Sequence, residues 1–185
     1  MRHPLAAALS VLALAVLPAR AAADDTAMMA NATLMKPVGG EGRVAESRGA
    51  GGEIVVLPDA DMIVQIGGFG VLGQDVRGKT ARDVYDLHVL VGLKTGGRSA
   101  PLAAYGALGL DVLSVTTRLP EEEAGGDRVR RGTTLGISAQ LGALGRIGDR
   151  GLYRVSASYL GAIVPGTGDD LGGLVLQLAL GARFD

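Results

Sequence analysis

The chain has 185 residues, room for one domain, with 48% hydrophobic residues, a formal net charge of −1 and neither cysteine nor tryptophan. A near-neutral charge lacks the basic footprint of a nucleic-acid binder. The missing cysteines exclude a disulfide framework, a thiolate metal centre and a lipid anchor carried on sulfur. Glycine stands out: its 30 residues are about twice the usual ~7%.

In chain order, Met1–Ala23 has the form of a cleaved secretory signal, with Arg2 and His3, an apolar run from Leu5 to Leu17, Pro18, and Ala21, Ala22 and Ala23 as a small-residue cleavage site. Its core is short of the ~20 residues that a spanning helix needs. Residues 24–185 then form a single domain. Met28–Met35 supplies a weak first strand, residues 38–52 read as a glycine-rich loop, and Glu53–Leu57 is a short β-branched strand before a tight turn at 58–61.

Period-two alternation follows, which is a strand's signature and not a helix's. Met62, Val64, Ile66 and Leu72 alternate with Gln65, Gly67 and Phe69. Residues 74–82 read as a loop. Tyr85, Leu87, Val89, Val91 and Leu93 alternate with Asp86, His88, Leu90, Gly92 and Lys94. After a turn at 95–101, Leu108, Leu110 and Val112 oppose Tyr105, Gly109 and Asp111, and residues 119–131 form a charged connection with Glu121, Glu122, Glu123 and Arg128. The last third is the most regular. Leu135, Ile137, Ala139 and Leu141 oppose Gly136, Ser138 and Gln140; Tyr153, Val155, Ala157 and Tyr159 oppose Arg154, Ser156 and Ser158; Leu174, Leu176, Leu178, Leu180 and Phe184 oppose Gln177 and Arg183. A turn at 147–151 and a loop at 165–171 separate them.

The count is eight strands, with longer loops on one rim and shorter turns on the other, so both termini share the short-turn rim. The fold expected is all-β: an antiparallel up-and-down transmembrane β-barrel. Strands of this length match the ~9 to 11 residues that cross a bilayer at a tilt, and closure satisfies the backbone groups that lipid cannot. The aliphatic phase would face lipid. The other phase would fill a narrow lumen with a polar network of Asp86, His88, Lys94, Asp111, Gln140, Arg146, Arg154, Gln177 and Arg183. Because lone buried charges are costly, Asp86 and Asp111 should find arginine or lysine partners. Tyr85, Tyr153, Tyr159 and Phe184 form a thin interfacial girdle; Tyr105 falls in the luminal phase.

In this pattern, over Glu53–Asp185, the chain resembles the small eight-stranded outer-membrane proteins of the outer membrane protein X and outer membrane protein A transmembrane-domain type. That resemblance implies a place in the Gram-negative outer membrane and contact with its lipid and lipopolysaccharide. It also implies delivery by the barrel assembly machinery, which reads a terminal aromatic residue in this family; here Phe184 is penultimate. The expected role is structural or surface-interacting, through the loops, with no catalytic, cofactor or metal site.

Two alternatives stay open. A secreted, soluble lipocalin-like barrel would turn the aliphatic phase inward around an apolar ligand. A lipid-modifying enzyme would need His88 near a serine and open to the bilayer. Three shorter signals carry less. Gly73–Thr80 fits the phosphate-loop pattern and Gly68–Gly73 the dinucleotide fingerprint, but neither sits in the βα context that chemistry requires. The carboxylate runs Glu121–Glu123 and Asp169–Asp170 read as solvated loop residues.

Overall fold

The computed structural model describes residues 26–37, 46–76, 80–97, 100–118, 129–162 and 172–184; the leader, most of the long connections, Lys79 and Asp169–Asp170 lie outside them. Eight strands run in chain order: β1 (Thr26–Pro37), β2 (Ser47–Val56), β3 (Met62–Val76), β4 (Thr80–Lys94), β5 (Leu102–Arg118), β6 (Val129–Ile147), β7 (Gly151–Ala162) and β8 (Gly173–Phe184). Each pairs antiparallel with its neighbour. β1 also pairs with β8, from Thr26 opposite Phe184 to Pro37 opposite Gly173, which closes the barrel and leaves no sheet edge.

Both ends of the described barrel therefore share one rim with the β2–β3, β4–β5 and β6–β7 turns. The β6–β7 turn needs only three residues, and Gly148 enters it at φ 63°, a left-handed conformation that glycine adopts without strain. The opposite rim carries the β1–β2, β5–β6 and β7–β8 connections, which are nine residues or longer, and the β3–β4 connection, which is three and not the long loop expected.

Strand boundaries differ from expectation in three places. Residues 47–52 were expected in a loop but belong to β2, because glycines conceal the alternation while letting strands approach closely. A Cβ on Gly51 would lie 2.0 Å from the carbonyl oxygen of Gly68 on β3. Residues 74–82 are not a long loop either: β3 runs to Val76 across a register shift between Val71 and Gln74, and β4 starts at Thr80. Arg130 and Arg131 lie in β6 and extend a ladder that begins with Arg118 opposite Val129.

The two phases face as expected for a lipid-facing barrel. Leu108, Leu110, Leu135, Ile137 and Leu141 point outward, with Leu141 72% exposed, whereas Gln140 beside it is 3% exposed. The inward aliphatic phase that a soluble lipocalin-like barrel needs is not what these strands present. Two apolar clusters occupy the interior. One, with Met29, Val55, Ile63, Leu144 and Leu152, sits toward the short-turn rim; the other, with Met35, Val71, Val84, Leu113 and Val175, sits toward the opposite rim. Between them lies a belt of polar side chains.

Candidate functional site

The belt is organised by Arg154, three residues into β7. Alternation turns it inward with Ser156 and Ser158, and closure of the sheet brings β2 across the lumen to meet it. Its Nε and Nη2 donate to the two carboxylate oxygens of Glu53 at 2.8 and 2.7 Å. Both side chains are fully buried. Nη1 donates to Ser156 Oγ at 2.7 Å and to the Tyr105 hydroxyl at 3.0 Å, and Nη2 donates also to Gln177 Oε1 at 3.1 Å. The Tyr105 hydroxyl itself donates to Gln140 Oε1 at 2.9 Å. Gln177 Nε2 reaches Thr33 Oγ1 at 3.4 Å, which donates to Asn31 Oδ1 at 3.2 Å. The guanidinium donates to side chains on β2, β5, β7 and β8, and through Tyr105 and Gln177 the network extends to β6 and β1, so six strands are tied around one centre.

A second group lies nearer mid-barrel. His88 Nδ1 is 2.5 Å from Asp86 Oδ2, and Ser138 Oγ donates to Asp111 at 2.5 Å. The arginine or lysine partners expected for Asp86 and Asp111 do not appear in these bonds. The reason is axial position. Arg154 and Glu53 each lie three residues from the short-turn rim, whereas Asp86 is eight residues from the end of β4 and Asp111 nine from the start of β5.

Of the residues expected to share one luminal network, Arg154, Gln177 and Gln140 are joined through Arg154 and Tyr105, and Asp86, His88 and Asp111 form the neighbouring group. Lys94 belongs to neither: at the end of β4 its ammonium donates to the carbonyl oxygens of Ala60 and of Gly97, the latter at 2.8 Å, and so fastens two adjacent turns. Arg146 and Arg183, both partly exposed, lie toward the same rim, the first with its backbone N–H bonded to Pro101 and the second to Arg150. Toward the other rim Arg118 bridges to Asp83 at 2.6 Å, and Asp83 accepts from the Gly73 N–H at 2.9 Å.

Sequence reasoning missed Glu53 and the part played by Tyr105. In the sequence Glu53 heads a strand that reads as too short for its phase to show; the shared inward phase of Glu53 and Val55 is the available signal. The alternation puts Tyr105 in the luminal phase but does not show its partner. Burial of the tyrosine is what brings a hydroxyl to Arg154.

The phosphate-loop match spans the end of β3 and the start of β4, so a strand stands where that chemistry needs a helix; the dinucleotide match lies within β3. His88 is buried in the lumen and bonded to Asp86, not to a serine.

No protein-family model matches the chain. No curated protein matches it either. Solved structures do. Neisserial surface protein A superposes with a TM-score of 0.68 at 12% identity, over 86% of this chain and 97% of that one. The outer membrane protein OprG from Pseudomonas aeruginosa gives 0.66 at 16% identity, over 88% and 96%. Ail, the attachment invasion locus protein of Yersinia pestis, gives 0.52 at 13% identity, over 86% and 95%, and has also been solved with the heparin analogue sucrose octasulfate. At such identity the likeness is one of fold, and the fold is that of the small eight-stranded outer-membrane β-barrels.

Proposed function

We propose that the protein is a Gram-negative outer-membrane barrel whose lumen is largely filled, and that it acts as a structural or surface-interaction protein through the connections on its long-loop rim. The observation that carries this reading is the pairing of an exposed aliphatic belt with a buried charge network: Leu135 is 75% exposed while Arg154 is 0% exposed. In water that arrangement is inside out, and in lipid it is the favourable one. Outward Tyr85 and Tyr159 lie toward the long-loop rim and outward Tyr153 and Phe184 toward the other, as rings at two interfaces should.

The same side chains argue against a wide pore. Apolar clusters flank the polar belt on both sides, and the cavity inside the belt is about 10 Å³. A solute would have to displace bonded side chains. The long connections, which carry Glu121, Glu122, Glu123 and Asp169 and Asp170, are then the parts free to meet lipopolysaccharide or an external partner. The alternation of Leu176, Leu178 and Leu180 ahead of Phe184 suits recognition by the barrel assembly machinery. A lipid-modifying role is not favoured, since His88 faces away from the acyl chains.

Fractionation of Gram-negative cells expressing the full chain tests the reading. Recovery in the outer membrane, with a gel mobility that changes on boiling in detergent, is the expected result. Recovery as a soluble periplasmic protein would overturn it.

A further inference from the structure

The group beside the Arg154 network has features that the network does not account for. Asp86 and His88 are two residues apart on β4 and share its inward face, and the β4–β5 register places Asp111 directly opposite His88. A ring nitrogen of His88 and one carboxylate oxygen of each aspartate all lie within 4.8 Å of one another. Proximity of acidic groups alone is common and settles nothing. Here a second observation stands beside it. Two polar atoms of the group, His88 Nε2 and Asp86 Oδ1, have no hydrogen-bond partner, on side chains only 4% and 2% exposed.

Both side chains line the same small cavity, about 10 Å³ in volume, together with Asp111, Ser138, Gln140 and Gln177. That volume is about what a single water-sized particle needs. The described lining contains no lysine or arginine. Two carboxylates therefore face one imidazole without a lysine or arginine, and although Ser138 serves Asp111 and His88 Nδ1 meets Asp86 Oδ2, the buried Asp86 Oδ1 has neither the donor nor the positive charge that a buried acceptor requires.

We propose that Asp86, His88 and Asp111 form a luminal site for one divalent transition-metal ion of the Zn²⁺ type. The donor set defines the class. An imidazole with two carboxylates suits Zn²⁺ and its first-row neighbours, whereas Ca²⁺ and Mg²⁺ seek six or more oxygens in a roomier cage. Metal–ligand bonds of about 2.0–2.2 Å hold ligand atoms roughly 3–4 Å apart, so the three groups need to close by at most about 1–2 Å. Ser138, bonded to Asp111, orients that carboxylate as the outer partners of metal ligands do. The ion would neutralise the carboxylates and staple β4 to β5 inside the barrel.

Because the site is enclosed, the metal is best supplied during folding. The full chain is refolded from urea into detergent micelles after chelator treatment, with Zn²⁺ or Co²⁺ alone as the probe, and bound metal is measured after gel filtration. The expected result is one ion per folded chain. His88→Gln and Asp111→Asn should each weaken binding by about 10- to 100-fold, while Asp149→Asn in the exposed β6–β7 turn should leave it unchanged. The mobility change on boiling reports whether each variant has folded. If the luminal variants do not fold, the Co²⁺ spectrum of the folded wild type decides: the intense visible band of a four- or five-coordinate ion supports the site, and a weak octahedral spectrum overturns it. Folded wild type that retains no metal, or binding that neither luminal variant alters, also overturns it.

Discussion

Glu53 and Arg154 stand 101 residues apart in the chain and meet across the lumen in a two-point ion pair of 2.7 and 2.8 Å, both side chains out of contact with solvent. Removing one partner strands the other charge. Glu53→Ala should therefore destabilise the barrel by about 3–5 kcal/mol, whereas replacing both residues by methionine should cost much less or even stabilise. Urea midpoints of the refolded proteins in detergent measure the difference, and equal losses in the single and double variants would contradict it.

Tyr105 both donates to Gln140 and accepts from the Arg154 guanidinium. Tyr105→Phe keeps the ring packed and deletes both bonds, one of them to a charged donor. The expected loss is about 1.5–3 kcal/mol in the same urea experiment. A loss below about 0.5 kcal/mol would mean that water replaces the hydroxyl freely, against the closed lumen described above.

How far this network could be read from sequence depended on distance along the chain. Asp86 and His88 were legible as luminal because two residues on one strand share a face. Their relation to Asp111 and Ser138 was not, since it is set by β4–β5 and β5–β6 register. Tyr153–Tyr159 and Leu174–Phe184 alternate so regularly that β7 and β8 could be placed almost to the residue. β2 was half lost because Gly49, Gly51 and Gly52 have no side chain with which to declare a face, and Glu53 was lost with it. Expecting Arg or Lys beside Asp86 and Asp111 used sound electrostatics without the axial coordinate that sends Arg154 to Glu53 instead.

Close strand approach makes a second, purely steric expectation. A Cβ on Gly51 would meet backbone atoms of β3, while one on Gly52 would meet nothing nearer than the Met29 carbonyl oxygen at 3.5 Å. Gly51→Ala should cost at least the ~1–3 kcal/mol of an overpacked core. Gly52→Ala should change stability by less than about 1 kcal/mol. Reversal of that order in urea titrations would contradict the β2–β3 register.

Leu141 pairs with Ala157, which lies between Tyr153 and Tyr159 on β7, and points outward. If those rings mark the two interfaces, Leu141 lies near the bilayer centre. Leu141→Arg should then destabilise the barrel in lipid vesicles by about 2–4 kcal/mol, and Leu141→Ile by far less. An arginine tolerated there without loss would place the residue in water.

The most direct test of the account is which face of β6 touches lipid. Since the chain has no cysteine of its own, single cysteines can be placed at Ile137, Ser138, Ala139, Gln140 and Leu141, labelled with a small fluorophore and reconstituted into vesicles containing brominated lipid. Quenching should alternate, strong at Ile137, Ala139 and Leu141 and weak at Ser138 and Gln140. The opposite alternation, or uniform weak quenching along the strand, would contradict a barrel that faces lipid with its aliphatic phase.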